Sequence, residues 1–206
     1  MSNRRKDEAD GSAKSNLRSP LVTEDGLRRV TIGEPQRLDG PVLLVDYEPQ
    51  WPVLFGREAK RIHSALGARA LRIEHVGSTS VPGLLAKPVI DILLDVADSS
   101  DEPSYVPSLE ASGYVLRIRE PEWHQHRLFK GPDTNVNLHV FSSGASEIGR
   151  VLAFRDRLRS DPADCELYAE TKRSLARQHW KYVQNYADAK GDVVERILRR
   201  SKDPPV

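Results

Sequence analysis

The stretch HVGSTSVPGLLAKPVID, His75 to Asp91, decides how the chain is read. It holds a run of small hydroxyl residues behind a glycine, then a Pro-Gly turn, a lysine, and an aspartate entering an apolar run. Before it, ALRIEHV (Ala70 to Val76) alternates apolar and polar residues as a half-buried strand does. After it, PVIDILLDV (Pro88 to Val96) is almost continuously apolar, as in a strand covered on both faces. The unit is therefore strand, glycine-rich connector, buried strand with a carboxylate. Gly77 lets the backbone come close to a ligand. Ser78, Thr79 and Ser80 offer hydroxyls, and successive N–H groups in such a turn can cradle an anion. Lys87 can reach a phosphate as a point charge. Asp91 is costly in an apolar run unless something binds it.

Working outward, WPVLFGREAKRIHSALG places Trp51, Phe55, Ala59, Ile62 and Leu66 at helical spacing, with Pro52 in the first turn and Gly67 as a stop. VLLVDY (Val42 to Tyr47) reads as a short strand. Val106 to Tyr114 reads as a short helix ending at Gly113. VLRIRE, HRLFK and NVNLHVF read as three further strands. Beyond Ser142 the pattern turns helical: Ile148 to Leu158, Leu167 to Leu175, and Tyr182 to Ile197 predict three helices. The class is α+β, a mixed sheet with flanking helices and a helical C-terminal part over about 146–200. The domain is expected over 41–201. Residues 1–20 are polar and charged, which predicts a disordered tail. Residues 21–40 predict an arm, with a weak strand signal at Arg28 to Ile32.

The totals limit the function classes. With 206 residues, one core-bearing domain with appendages is expected. Lys+Arg 31 nearly balance Asp+Glu 30, which argues against a dedicated nucleic-acid binder, as does the lack of interleaved basic and aromatic residues. Cys165 is the only cysteine, so neither an intramolecular disulfide nor a cysteine-based zinc site is available. No apolar run reaches the ~18 residues of a membrane span, and no secretory signal is evident. A cytoplasmic protein is expected.

Glycine-serine followed by a strand aspartate resembles the signature of the nucleotidyltransferase fold. More specifically, IEHVGSTSVPGLLAKPVIDI resembles the GrpB (UPF0157) family, together with YEPQWPVLF, NLHVF and FRDRLRSDP across roughly residues 42–200. The resemblance implies a nucleotidyltransferase-like fold, a nucleotide or other phosphate ligand with Mg²⁺ as the cofactor, and transfer of a nucleotidyl or phosphoryl group to an acceptor. Some relatives are fused to dephospho-CoA kinase, which implies a protein partner of that kind. The departure from the parent pattern is Leu93. An Asp-x-Asp strand would put two carboxylates on one face about 6.6 Å apart, but here the second acid is missing. Asp95 shares the face at roughly 13 Å, too far to share one ion with Asp91.

Glu74, His75 and His139 are the candidates to complete the site. Asn137 and His139 share a strand face, so Asp91 and His139 can bind a metal or act as acid and base. The expected metal set is Asp91, Glu74 and His139, and the expected catalytic pair is Asp91 and His139. The expected phosphate set is Gly77, Ser78, Thr79, Ser80, Lys87, Arg127 and Lys172, with Lys130 a lesser candidate. Arg127 is placed facing the cleft, and Lys172 shares an inward helix face with Tyr168. His124 and His126 form an i, i+2 pair without a third ligand in nearby sequence. The alternative function is a non-catalytic nucleotide- or anion-binding module that regulates or stabilises a partner.

Overall fold

The computed structural model describes residues 23–38 and 40–202. The tail expected over residues 1–20 lies outside them. Five strands form one mixed sheet: β1 (Arg72–Val76), β2 (Ile90–Val96), β3 (Val115–Glu120), β4 (His126–Lys130) and β5 (Val136–Ser142), in the order β1-β2-β5-β4-β3. β2 and β5 run parallel, and every other pair is antiparallel. The expected α+β class, with a mixed sheet and a helical C-terminal part, is the observed one.

β2 is the strand that the apolar run predicts. Ile90, Ile92, Leu93, Leu94 and Val96 are all essentially inaccessible, and each such side chain contributes roughly 1.5–3 kcal/mol by leaving water. One face of the sheet carries Ile90, Ile92, Leu94, Val136, Leu138, Val140 and Phe129. It packs on Trp51, Ile62 and Leu66 of α2 (Gln50–Leu66) and on Val106 and Leu109 of α3 (Val106–Ala111). Alternation sends Asp91, Leu93, Asn137, His139 and Phe141 to the other face. There Val76, Leu93 and Phe141 meet Ile148 of α4 (Ser146–Ser160). A second cluster joins Leu158 of α4 to Tyr168 and Ala169 of α5 (Pro162–Ala176) and to Val193 and Ile197 of α7 (Gly191–Lys202). That cluster also takes in Val81 and Leu84 from the glycine-rich connector, so the helical half is clamped onto the connector. Arg159 of α4 donates twice to the Ser80 carbonyl, at 3.0 and 2.7 Å.

Three local expectations are corrected. Arg28 to Ile32 is not a strand: Glu24–Val30 forms α1, capped by the Thr23 hydroxyl, with acids in its first turn and arginines in its last. Only Thr31 makes a bridge, to Ile118 of β3. Val42 to Tyr47 makes a single bridge, Val45 to Ala86, rather than a strand, because the segment crosses the connector instead of entering the sheet. The third C-terminal helix is two, α6 (Val183–Asp188) and α7, separated by a turn at Ala189 and Lys190. Glycine at 191 makes that break cheap.

Candidate functional site

Asp91 lies on β2 between Val76 of β1 and Asn137 of β5. Its Oδ1 accepts a hydrogen bond from Asn137 Nδ2 at 2.7 Å and stands 3.8 Å from His139 Nε2. Gly77 holds φ 68°, ψ −175°, a region open essentially to glycine alone. A Cβ there would lie 2.3 Å from Asp91 Oδ2. The glycine is thus required twice, by its dihedrals and by the carboxylate that leans against it.

The hydroxyl run divides. Thr79 donates to the Val89 carbonyl at 3.1 Å and accepts from His75 Nε2, also at 3.1 Å. Ser80 donates to the Gly77 carbonyl at 2.6 Å. Both are buried and hold the connector in shape. Ser78 alone turns toward the helices, where it meets the buried Tyr168 hydroxyl. His75 lies on the opposite face, stacked on Phe55, and burial pulls its ring down to about 4, so it is neutral near pH 7.

Three lysines converge on Asp91. Burial lowers the Lys87 ammonium, while Asp91 pulls it back up. Lys130 behaves the same way, is repelled by Lys87, and donates to Asn137 Oδ1 at 2.6 Å. Lys190, in the turn before α7, is brought down to about 8 by burial and by Lys87, against the pull of Asp91. Lys87 and Lys190 both lie over the Tyr186 ring, 5.4 and 4.4 Å from its centroid. The Tyr186 hydroxyl is buried and has no hydrogen-bond partner. Burial also drives the Asp91 carboxyl upward, but His139, Asn137 and Lys87 outweigh it and hold the group below the usual carboxylate range. It is therefore an anion facing three ammoniums.

The remaining expected residues are placed elsewhere. Arg127 faces the opposite side of the sheet, opposite Val140 on β5. It donates from Nε to Glu102 Oε1 and from a terminal nitrogen to the Gln125 carbonyl, both at 2.7 Å. Strand alternation explains the correction: Arg127 and Lys130 are three apart and cannot share a face, and it is Lys130 that pairs with Asn137. Lys172 does turn inward beside Tyr168, but its ammonium is held by the Leu85 carbonyl and lies over the Tyr168 ring, 5.0 Å from the centroid. Burial brings it down to about 7. Glu74 shares the Asp91 face but is bound by Arg155 at 2.8 Å.

The expected set of Asp91, Glu74 and His139 does not fit a protein-held Mg²⁺. One carboxylate is engaged by arginine and the other is ringed by ammoniums. Among the described residues no group of three or more His, Cys, Asp or Glu side chains is placed to hold a metal ion. The donors suit an anion better than a cation. Two surface hollows lie away from Asp91. One, of about 590 Å³, is lined by His63, Leu71 and Ile73 among others; the second, of about 400 Å³, by Val42, Leu85 and Arg173 among others.

The family model described as GrpB protein matches residues 41–200. The chain belongs to the GrpB family. A UPF0157 protein of Halalkalibacterium halodurans is 57% identical over 188 residues, covering 91% of this chain and 96% of that one. The solved structure of the conserved protein GrpB from Enterococcus faecalis superposes with TM-score 0.68 at 30% identity, covering 77% of this chain and 96% of that one. A dephospho-CoA kinase of Mycolicibacterium paratuberculosis is 30% identical over 189 residues, covering 79% of this chain but 46% of the kinase. The fold is thus shared with a solved member of the family. Among the described residues no helix is long and apolar enough to cross a membrane.

Several site residues were not singled out by sequence reasoning. Tyr186 comes from α6 and Lys190 from the turn before α7, about a hundred residues from Asp91 in sequence, and no local pattern marks them as site residues. His126 was visible only as half of a histidine pair. Its partner proves to be His139 rather than His124.

Proposed function

We propose that this GrpB-family protein binds a phosphate-bearing small molecule, with a nucleotide as the first candidate, at the junction of the connector, β2 and the α6–α7 turn. The observation that carries this is the convergence of Lys87, Lys130 and Lys190 on a single carboxylate, beside the orphaned Tyr186 hydroxyl. Three cations against one anion leave an excess of positive charge in a partly desolvated niche, where Coulomb attraction for a phosphate is stronger than in water. Ser78 and Tyr186 supply donors. The nucleotidyltransferase-like arrangement of glycine-serine loop and strand aspartate supports the same ligand class. Mg²⁺, where it takes part, arrives on the ligand's own phosphates.

The test is calorimetric titration of ATP, GTP, CTP and UTP, each with and without Mg²⁺, into wild type and the Lys190→Ala variant. Binding that weakens at least about tenfold in the variant, the equivalent of 1.4 kcal/mol, supports the site. No heat from any nucleotide with a well-folded wild type removes the nucleotide reading.

A second reading, binding without transfer, is favoured by Leu93. The position where a second metal-binding acid belongs is a fully buried leucine packed on Phe141 and Ile148. In that reading the protein acts on a partner, and the match to part of a dephospho-CoA kinase supports one of that class. Co-elution of the two purified proteins on size exclusion, strengthened by the bound ligand, is its test.

A further inference from the structure

Behind His139 lies a chain of groups that the anion site does not use. Glu120 and His126 face each other across the β3–β4 hairpin. The hairpin turn holds His124 and Gln125 at φ 52° and 50°, an uncommon conformation for two successive non-glycine residues. It delivers the His126 ring inward, nearly inaccessible. There Phe141 stacks on it with centroids 4.7 Å apart, and Trp123 meets it edge-on at 5.2 Å. His126 Nδ1 is 2.7 Å from Glu120 Oε2, and its Nε2 is 3.0 Å from His139 Nδ1. The second nitrogen of His139, Nε2, faces Asp91 Oδ1 at 3.8 Å.

Donor and acceptor rules then fix the protons along the chain. An ionised carboxylate only accepts, so His126 Nδ1 carries the hydrogen. A neutral His126 therefore presents a lone pair at Nε2, which requires His139 to donate from Nδ1. A neutral His139 is left with a lone pair at Nε2. Two acceptors, the bare Nε2 and Asp91 Oδ1, then face each other across a gap too wide for a direct hydrogen bond. A group carrying protons fits between them.

We propose that Glu120 and His126 are positioning residues that hold His139 in its Nδ1–H tautomer, so that Nε2 accepts a proton-bearing group of the ligand, a hydroxyl, an amine or a water attached to it, between itself and Asp91. This rests on the anion-site reading and adds to it a requirement on the ligand: beside the phosphate it presents an O–H or N–H donor. His139 becomes the group that would receive a proton from that donor, and Glu120 sets its readiness from two residues away.

The experiment is two-bond proton–nitrogen correlation NMR of the histidine rings in the full ¹⁵N-labelled chain at pH 7, in the absence of ligand. The expected pattern for His139 is a pyrrole-like Nδ1 and a pyridine-like Nε2, the reverse of the form that free imidazole side chains favour. His126→Phe keeps the aromatic stack and removes the acceptor, and the His139 pattern is expected to swap. A merely structural His126, replaced by a ring of similar shape, would leave it unmoved. A protonated Nε2 on His139 in wild type, whether alone or with Nδ1, overturns the proposal. So does an unchanged pattern in a folded His126→Phe protein. The wild-type spectrum decides even if the variant fails to fold. Because no ligand is present, failure here leaves the nucleotide titration standing, and failure of that titration leaves the tautomer standing.

Discussion

Replacing Gly77 with alanine should be among the most damaging single-methyl changes in the protein, although Gly77 is exposed. Two costs add. The backbone, at φ 68° and ψ −175°, lies where a side chain costs about 1–3 kcal/mol. The new Cβ would lie 2.3 Å from Asp91 Oδ2, 2.9 Å from its Cβ and 3.0 Å from its Cγ. The carboxylate must swing away, and its hydrogen bond from Asn137 is lost, worth about 1.5–3 kcal/mol for a charged acceptor. The total is roughly 3–6 kcal/mol, a large share of the ~5–15 kcal/mol that holds a domain together. Urea unfolding followed by circular dichroism measures it. The same carboxylate makes the effect non-additive. With Asp91→Ala in the background the contacts to Oδ2 and Cγ vanish, and a coupling of about 1.5–3 kcal/mol is expected from the double-mutant cycle. A cost below about 1 kcal/mol for Gly77→Ala, or costs that add within ~0.5 kcal/mol, would refute the reading that this loop is shaped around Asp91.

Three further outcomes follow from the same geometry. Lys190, brought down to about 8 by burial, is protonated below that pH in the free protein, and a bound anion raises it again. Phosphate affinity should therefore be full below about pH 8 and fall above it by up to about tenfold per unit, and Lys190→Met should flatten the profile measured by calorimetry. Lys172 at about 7 against an ordinary 10.5 means that the unfolded chain binds a proton there which the folded chain lacks between those pH values. Stability should rise across that window, by as much as about 1.4 kcal/mol per pH unit. Denaturant titrations at pH 7 and pH 8 should show the rise in wild type and lose it in Lys172→Met. Arg127→Met should cost about 3 kcal/mol, the low end for breaking a buried ion pair, because Glu102 keeps Arg119 at 2.7 Å. It should leave nucleotide affinity within about threefold in the same titration, and a larger loss would place Arg127 in the site after all.

The legible part of this chain was what repeats locally. The apolar run from Ile90 to Val96 and the alternation of Val136 to Phe141 fixed a buried sheet with Asp91, Asn137 and His139 on one face. Helical spacing located α2, α4 and α5 within a few residues. What stayed hidden depends on which face meets which element. Period-2 alternation shows that Arg127 and Lys130 point apart, yet only the register of β4 on β5 says which of them joins Asn137. Thr79 and Ser80 look like ligand groups beside Ser78, but a 3-10 turn of three residues points successive side chains in different directions, and two of the three are consumed by the connector itself. Lys190 reaches the site because α6 ends at Asp188 and the turn after it lies over Tyr186, a matter of how four helices pack.

That packing also explains why one carboxylate suffices. With a second acid at position 93 the face would carry two negative charges, and the natural counter-ion would be a divalent metal. Leucine at 93 gives that position to the seam with α4, and the counter-charge for Asp91 comes from lysines instead. Lysines over an aromatic ring keep part of their stabilisation when their hydration is stripped, which lets Lys87 and Lys190 remain close to each other above Tyr186. Their mutual repulsion is then relieved by any anion that enters. Asp91 offsets only part of that repulsion: it keeps the lysines charged and leaves the excess positive charge on which the proposed phosphate site rests.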